Sequence, residues 1–197
     1  MPLVPPIEES PEEVREALRP LRNDLSVAVH SCGNAFAVGA IIRVAHSFLV
    51  REIIIVGDAP YYPKASMGME KYETVVTVAG DEDFYEHVAG RPVWAIEKDA
   101  ARRSLYAGRG FPKGVVFVFG SERAGLSGTF LERADEVVGI PMYGVNHSFP
   151  VAVAAGMVLG EWGRRRYAAD TVDGRAEPQT GERTTSGRRG IGPICGT

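Results

Sequence analysis

The sequence predicts an α/β protein with a mostly parallel sheet that is covered by helices on both faces. Segments typical of strands alternate along the chain with segments typical of helices. Most strand candidates are continuous apolar runs, as expected for strands that are buried on both faces. The chain has 197 residues, of which 45% are hydrophobic, and this is enough for one domain with a sizeable core.

The strand candidates are short apolar runs that end in glycine or polar residues. Helix candidates separate most of them, which favours a layered α/β architecture over an all-β one. In chain order the strand candidates cover residues 25–31, 52–58, 72–80, 92–98, 114–120 and 136–142.

The first helix candidate has clear start signals. Ser10 can cap it, and Pro11 suits its first position. Glu12 and Glu13 face the positive end of the helix dipole. This helix belongs to a predicted N-terminal helical extension over residues 1–24.

The later helices are predicted from apolar residues at helical spacing and from capping residues. Asp81 and Ser127 are the predicted caps of two short helices. The later helix candidates cover residues 37–50, 81–90, 127–134 and 149–167. We expect a main domain over 25–168 and a disordered tail over 169–197, where large apolar residues are scarce.

The charge balance argues against a protein that coats nucleic acid by bulk charge, because the net charge is −3 and the pI is about 5.9. A local basic surface that binds nucleic acid is still compatible with this charge, because cations cluster in two stretches of the sequence. The alternative for each stretch is an ordinary solvent-exposed surface. The stretches hold Arg102, Arg103, Arg109, Lys113 and Arg123, and then the arginines at 164–166.

The cysteines and the hydropathy indicate a cytoplasmic protein. Cys32 and Cys195 lie far apart and lack zinc-site spacing, so a reducing compartment and no metal are expected. The first residues lack the pattern of a secretory signal. No apolar run reaches the roughly 18 to 20 residues of a membrane helix.

Three loops follow strand candidates and precede helix candidates, at 32–43, 119–127 and 140–153. Open α/β sheets bind ligands at such positions. Gly120 and Gly125 of the second loop allow close backbone approach or a positive φ. This loop is not a phosphate loop, because the Lys-Ser/Thr pair after the last glycine is missing.

Single polar residues have more than one interpretation. Ser148 stands beside His147, but the nucleophile elbow of a hydrolase is absent, so a hydrogen-bonding or capping role is favoured. Glu122 is either a helix cap or an acid of a ligand site. Arg43, inside an apolar helical segment, either faces solvent, pairs with an acid, or holds a phosphate or carboxylate.

Taken in order, the three loops resemble the motifs of the TrmH (SpoU) family of SPOUT RNA 2′-O-ribose methyltransferases over about residues 25–167. The motifs read NAFAVGAIIRVAHSF, FVFGSERAGLS and IPMYGVNHSFPVAVAAGMVLGEW. The resemblance implies methyl transfer from S-adenosylmethionine to a ribose 2′-hydroxyl of tRNA or rRNA, without a metal.

The same resemblance implies a SPOUT-type fold with a C-terminal trefoil knot, one of the few exceptions to the rule against knots. It also implies a homodimer packed on the last helix. The small residues that would suit close approach there are Ala152, Ala154, Ala155 and Gly156.

The resemblance also assigns roles to individual residues. Arg43 matches the catalytic arginine of the family, Glu122 the acid of the second motif and Ser148 the serine of the third. The cofactor-binding positions are Gly120, Ile140, Met142 and Phe149. We further expect Asn34 and Arg123 to contact RNA.

Two positions depart from the family pattern. Ala37 stands where the first motif usually has asparagine, and Asn34 is not assumed to replace it. The third motif usually reads Ser-Leu-Asn, whereas here Phe149 is followed by Pro150, which has no backbone N–H. Two alternatives therefore stay open: a cofactor-binding knotted protein that binds or regulates RNA without methylating it, and a methyltransferase of small molecules.

Overall fold

A computed structural model describes residues 8–30, 33–58, 60–108, 110–121 and 124–172. The helices are α1 (Pro11–Leu18), α2 (Ala35–Ser47), α3 (Pro63–Ser66), α4 (Asp81–His87), α5 (Gly128–Arg133) and α6 (Val151–Val172). The strands are β1 (Ser26–His30), β2 (Ile53–Val56), β3 (Val75–Val78), β4 (Val93–Ile96), β5 (Arg103–Ser104), β6 (Val116–Phe119) and β7 (Glu136–Gly139). Short 3-10 turns follow α1 and α3, at Arg19–Leu21 and Met69–Lys71.

The strands form one sheet in the order β3-β2-β1-β6-β4-β7-β5. Every pairing between neighbouring strands is parallel. The sheet therefore has a carboxyl edge, where all strands end, and an amino edge, where all strands begin. The predicted α/β class with a mostly parallel sheet is confirmed, and the trefoil knot stays a prediction.

Helices cover both faces of this sheet, as predicted. Val29 and Phe117 point to one face and pack in a core with residues of α2 and α6. Val118 points to the other face and packs with Phe84 of α4 and Phe130 of α5. The two cores explain why the strands are apolar along their whole length rather than at alternate positions.

The six strand candidates are all present, with narrower bounds, but the sequence did not predict β5. This strand has only two residues, Arg103 and Ser104, which pair with Val138 and Gly139 of β7. It contains no apolar run, so it carries no sequence signal of a buried strand.

Two of the three predicted helix caps are confirmed. Ser10 and Glu13 form a capping box, in which the Glu13 amide donates to Ser10 Oγ at 3.3 Å. Ser127 Oγ accepts from the Phe130 amide. The prediction for Asp81 is wrong, because Asp81 is the first residue inside α4. Its carboxylate instead accepts the Ser127 hydroxyl and lies 3.2 Å from Nε2 of His30.

The last helix is longer than predicted, and residues 173–197 of the predicted tail lie outside the described part of the chain. Two of its small residues pack within the chain. Ala155 is fully buried, and a Cβ on Gly156 would lie 4.0 Å from Val44 of α2. The partner contact expected at the last helix stays a prediction.

Ion pairs hold the amino edge of the sheet together. The buried carboxylate of Glu73 lies 2.6 Å from Arg22 and 2.7 Å from His46. Glu52 pairs in the same way with His87 and Arg91. Burial raises the pKa of Glu52, but the hydrogen bonds and positive charges of these two partners outweigh it and hold the pKa below its ordinary value. These buried acids are therefore structural.

The middle of α6 carries a third buried carboxylate that is held by ion pairs, that of Glu161. Glu161 accepts hydrogen bonds from Arg164 at 2.7 Å and from Arg165 at 2.6 Å. The bond from Arg164, supported by Arg165, lowers the pKa of Glu161 to about 2 although burial opposes this. Arg165 also donates to the carbonyl oxygens of Leu105 and Gly108. The cluster thereby ties α6 to the turn that follows β5.

Replacing Glu161 with glutamine is expected to lower the free energy of unfolding at neutral pH. Because the folded pKa lies below the ordinary 4.5, the ionised carboxylate stabilises the fold above about pH 4.5, and this contribution is lost as the pH falls towards 2. Denaturant unfolding at several pH values should show the deficit of the variant shrinking over that interval. Glu82→Gln, which removes an exposed pair with Arg133, is the control with a small effect. A deficit that stays constant with pH would contradict the assignment.

Candidate active site

A cavity of about 650 Å³ opens at the carboxyl edge of the sheet, where β4, β6 and β7 end. This volume is typical of small-molecule sites. The loops after these strands and the first turn of α6 form its walls. Five of the residues predicted to act on cofactor or substrate line it, namely Gly120, Ile140, Met142, Ser148 and Phe149.

Gly120 lies where two stretches of the second loop touch. Ser121 and Gly125 exchange two backbone hydrogen bonds, which folds the loop back on itself. A Cβ on Gly120 would come within 2.3 Å of the Gly125 carbonyl carbon and 2.6 Å of the Leu126 amide nitrogen. Gly125 has a φ of +67°, which favours glycine. Both uses predicted for these glycines are thus confirmed, close approach at Gly120 and positive φ at Gly125.

The third loop brings polar groups without partners to the cavity. Neither the backbone amides at 142–149 nor the Ser148 hydroxyl donates a hydrogen bond to any residue that the structure describes. Pro150 directly precedes α6, and its carbonyl oxygen accepts from the amides of Val153 and Ala154 in the first turn. Ser148 is therefore not the helix cap, and its hydroxyl stays available to a ligand.

The segment after β4 completes the cavity, and its part in the site was not predicted from the sequence. Glu97, Lys98 and Asp99 all line the wall. Lys98 Nζ donates to the carbonyl oxygen of His147 at 2.8 Å and so ties this segment to the third loop. The available signal was the charged run Glu97-Lys98-Asp99 directly after a strand candidate, but the order of strands was needed to place it beside β6 and β7.

The same segment crosses over β7 on its way to β5. A Cβ on Gly139 would lie 2.8 Å from the Cβ of Ala101 and 3.7 Å from the Cα of Lys98. Glycine at this position therefore lets the two stretches pass in contact. A later strand that passes closely beside an earlier connection is a feature that the predicted knot needs.

Arg43 and Asn34 lie on α2, outside the cavity wall. Arg43 is exposed, more than two turns into the helix, and its side chain forms no hydrogen bond or ion pair with the described residues. Asn34 is the cap of α2, and its side-chain oxygen accepts from the Ala37 amide at 3.1 Å. The Ala37 side chain is buried in the core between α2, α6 and the sheet, so position 37 does not face the cavity.

Two predicted site residues, Glu122 and Arg123, lie outside the described residues, between Ser121 and Ala124. Among the residues that the structure describes, no group of three or more acidic, histidine or cysteine side chains could hold a metal ion. Within the same part of the chain, no helix is both long and apolar enough to cross a bilayer.

Comparison with known protein families gives a match to the model of the SpoU rRNA Methylase family over residues 24–160. The chain belongs to this family. The matched stretch contains the whole sheet and the loops that form the cavity, and the predicted membership of the TrmH (SpoU) group is confirmed. The SpoU fold thus accounts for the convergence of the second and third loops.

Individual SpoU relatives are similar over most of the chain. A tRNA (guanosine(18)-2′-O)-methyltransferase of Thermus thermophilus is 27% identical over 165 residues, which are 81% of this chain and 84% of that protein. The putative TrmH family tRNA/rRNA methyltransferase YacO of Bacillus subtilis is 28% identical over 134 residues, 66% of this chain and 54% of that protein. The chain thus spans about half the length of some of its curated relatives.

The solved structure of the SpoU methyltransferase AviRb from Streptomyces viridochromogenes, in complex with the cofactor AdoMet, is also similar. Its TM-score is 0.67 at 26% sequence identity, and the match covers 74% of this chain and 59% of that chain. The likeness confirms the α/β architecture of the SpoU domain described above.

Proposed function

We propose that this chain is an S-adenosylmethionine-dependent ribose 2′-O-methyltransferase that acts on tRNA or rRNA. The observation that carries the proposal is the cavity at the carboxyl edge, where the second and third family motifs meet. Membership of the SpoU family and the 2′-O-methyltransferases among its relatives support the same activity.

The residues of the cavity fit adenosylmethionine. Leu126, Ile140 and Phe149 offer apolar surface of the kind that an adenine ring needs. The amides at 142–149, without partners among the described residues, and the Ser148 hydroxyl can bind the polar groups of the cofactor. Glu97 adds a carboxylate that suits a cationic ligand. We therefore assign cofactor binding to Gly120, Ile140, Met142 and Phe149, as the sequence predicts.

Methyl transfer also needs residues of the chain that orient the reacting groups and stabilise the charge that develops on the ribose oxygen. When bound, adenosylmethionine supplies a methyl group that its positive sulfur already activates. A ribose hydroxyl is a weak nucleophile, so the negative charge that develops on its oxygen needs a cation nearby. A guanidinium is a poor base but a permanent cation, and this suits Arg43 to that role or to an RNA phosphate. Ser148 lines the cavity and can position the reacting groups, and we propose Glu122 as an acid of the second motif.

The proposal is tested by incubating the protein with tRNA or rRNA and methyl-labelled adenosylmethionine. Label in RNA that is stable to alkali at the methylated nucleotide supports ribose 2′-O-transfer, because a methylated 2′-oxygen cannot attack the neighbouring phosphate. Cofactor binding by calorimetry without label in any RNA would favour a binding protein instead. Turnover on a metabolite without an RNA product would favour a small-molecule enzyme.

We propose in addition that the protein is a homodimer in the cytoplasm. Exposed apolar side chains support the dimer, since Val153 on the outer side of α6 is 48% exposed and Phe36 on α2 is 63% exposed. Phe36 also lies beside the exposed ring of Tyr62, with ring centroids 6.4 Å apart. The sequence has two cysteines, which lie far apart along the chain, and this low cysteine content supports the reducing compartment.

Light scattering of the purified protein is expected to give twice the chain mass of 21.3 kDa. Val153→Glu should shift the protein towards the single-chain mass, because a charge would be buried at the interface. Val145→Glu, at a fully exposed loop position, is the matched control and should leave the mass unchanged. A wild-type protein of single-chain mass would contradict the dimer.

A further inference from the structure

A second cavity, of about 780 Å³, opens at the amino edge of the sheet, at the far end of α6 from the first. Three distant parts of the chain form it, at 22–24, at 106–108 with 110–113, and at 162–166. We call it the amino-edge groove. Val151 lines the first cavity and Arg165 lines the groove, so the rise of about 1.5 Å per helical residue separates the two by about 20 Å.

Cations dominate the walls of the amino-edge groove. Its basic residues are Arg22, Lys113, Arg164, Arg165 and Arg166. Asp24 is the acidic residue among the lining side chains, and its Oδ2 accepts the backbone amide of Gly114. The fold thus brings Lys113 beside the arginines at 164–166, which lie about fifty residues further along the chain.

Two of these cations form internal contacts that stabilise the walls of the groove and are not available to a ligand. Arg22 is engaged by Glu73 and by the carbonyl oxygen of Val50. Arg165 is mostly buried, bonds Glu161 and the turn after β5, and lies 4.9 Å from the centroid of the Phe111 ring. The walls are therefore rigid before any ligand arrives, which lowers the entropic cost of binding.

The outward cations are Lys113, Arg164 and Arg166. Lys113 is exposed and has no hydrogen bond or ion pair with the described residues. Arg164 is 66% exposed and shares Glu161 with Arg165, so this trio keeps a net positive charge. Arg166 lies over the Trp162 ring, 5.4 Å from its centroid, with its charge towards solvent. Together they present positive charge that no nearby acid fully neutralises.

An aromatic side chain stands at the same rim. Tyr106 lines the groove and is 50% exposed. A rigid groove that pairs cations with an accessible aromatic ring has the chemistry of a single-stranded nucleic-acid site, where cations follow the phosphates and a base stacks on the ring. An acidic protein with a net charge of −3 would then bind RNA through a local surface rather than through bulk charge.

We propose that the amino-edge groove binds the sugar-phosphate backbone of the RNA substrate, about 20 Å from the site of methyl transfer. Lys113, Arg164 and Arg166 contact phosphates, and Tyr106 stacks on an unpaired base. The groove thereby supplies RNA affinity to a catalytic domain without using the cavity. This assignment of the ligand rests on the proposed RNA methyltransferase function.

The test is RNA binding by Lys113→Glu and Arg166→Glu, measured by fluorescence anisotropy with a labelled tRNA transcript over a series of salt concentrations. On a single strand each phosphate contact contributes about 0.7 to the slope of log affinity against log salt, so loss of one contact should weaken binding roughly five-fold near 0.1 M salt and lower the slope by about 0.7. Lys71→Glu is the matched control, since it makes the same charge change at an exposed position outside the groove.

Kinetics separate this groove from the catalytic cavity. The groove variants should raise the KM for RNA while leaving kcat and the calorimetric affinity for adenosylmethionine unchanged. Thermal melts that match the wild type confirm that the fold is intact. Unchanged RNA affinity and salt slope in both groove variants, or an equal loss in Lys71→Glu, would overturn the proposal.

The results distinguish an incorrect assignment of RNA binding to the groove from an incorrect assignment of the methyltransferase function. Methyl transfer by the wild-type protein with unaltered RNA binding in the groove variants would refute the groove alone. RNA binding that depends on Lys113 and Arg166, without methyl transfer by the wild type, would refute the enzyme and retain the groove.

Discussion

Arg43→Ala is expected to reduce methyl transfer on the order of 10²- to 10³-fold, the loss typical when one group that stabilises developing negative charge is removed. The fold and the affinity for adenosylmethionine should remain close to those of the wild type. Arg43 is exposed on α2, has no polar partner among the described residues and does not line the cavity. Its removal therefore leaves no buried group unsatisfied.

Steady-state rates with saturating RNA and cofactor measure this loss. Arg51→Ala is the matched control, because Arg51 is an exposed arginine outside both cavities, and it should keep near wild-type activity. Arg43→Lys should restore only part of the rate, since an ammonium cannot reproduce the planar fork of a guanidinium. Full activity in Arg43→Ala would remove Arg43 from the mechanism.

Gly120→Ala is expected to weaken adenosylmethionine binding ten-fold or more, about 1.4 kcal/mol or above. The new Cβ would lie 2.3 Å from the Gly125 carbonyl carbon and 2.6 Å from both the Gly125 oxygen and the Leu126 nitrogen. All three are backbone atoms, so no side-chain rotation relieves the clash. The second loop must shift away from the cavity that it lines.

Calorimetric titration with adenosylmethionine measures the change. Gly128→Ala is a closely matched control, since Gly128 begins α5 just after the same loop and a Cβ there would have no atom within 4 Å. This control should bind cofactor as the wild type does. Equal affinity in Gly120→Ala and wild type would show that the cofactor does not depend on this loop.

Much of the fold follows from local patterns in the sequence. The continuous apolar runs at β1, β2 and β6 carry their own signal, and the capping box at Ser10 marks the start of α1. The convergence of the second and third loops follows from the parallel sheet, because carboxyl ends of parallel strands share one edge. The family resemblance predicts that Gly120, Ile140 and Phe149 of these loops share one cofactor site, and all three line the cavity.

The remaining features depend on which distant segments meet, and a single sequence does not encode this visibly. β5 has two residues and no apolar pattern. Aspartate is a common helix cap, but Asp81 is the first residue inside α4. Lys98 reaches the third loop only because β4 lies beside β7. Ala37, a departure from the family pattern, has its side chain in the core, so an asparagine there would bury an amide group.

Ribose 2′-O-methylation is tested most directly by mass spectrometry of nucleosides from tRNA and rRNA that were incubated with the protein and with adenosylmethionine carrying a deuterated methyl group. Digestion to nucleosides separates methyl groups on ribose from methyl groups on bases, and Arg43→Ala serves as the parallel sample. We expect deuterated methyl on the ribose of a specific nucleoside, and its near-complete loss in the variant. Deuterium on a base, or in no nucleoside although calorimetry shows bound cofactor, would contradict a ribose 2′-O-methyltransferase.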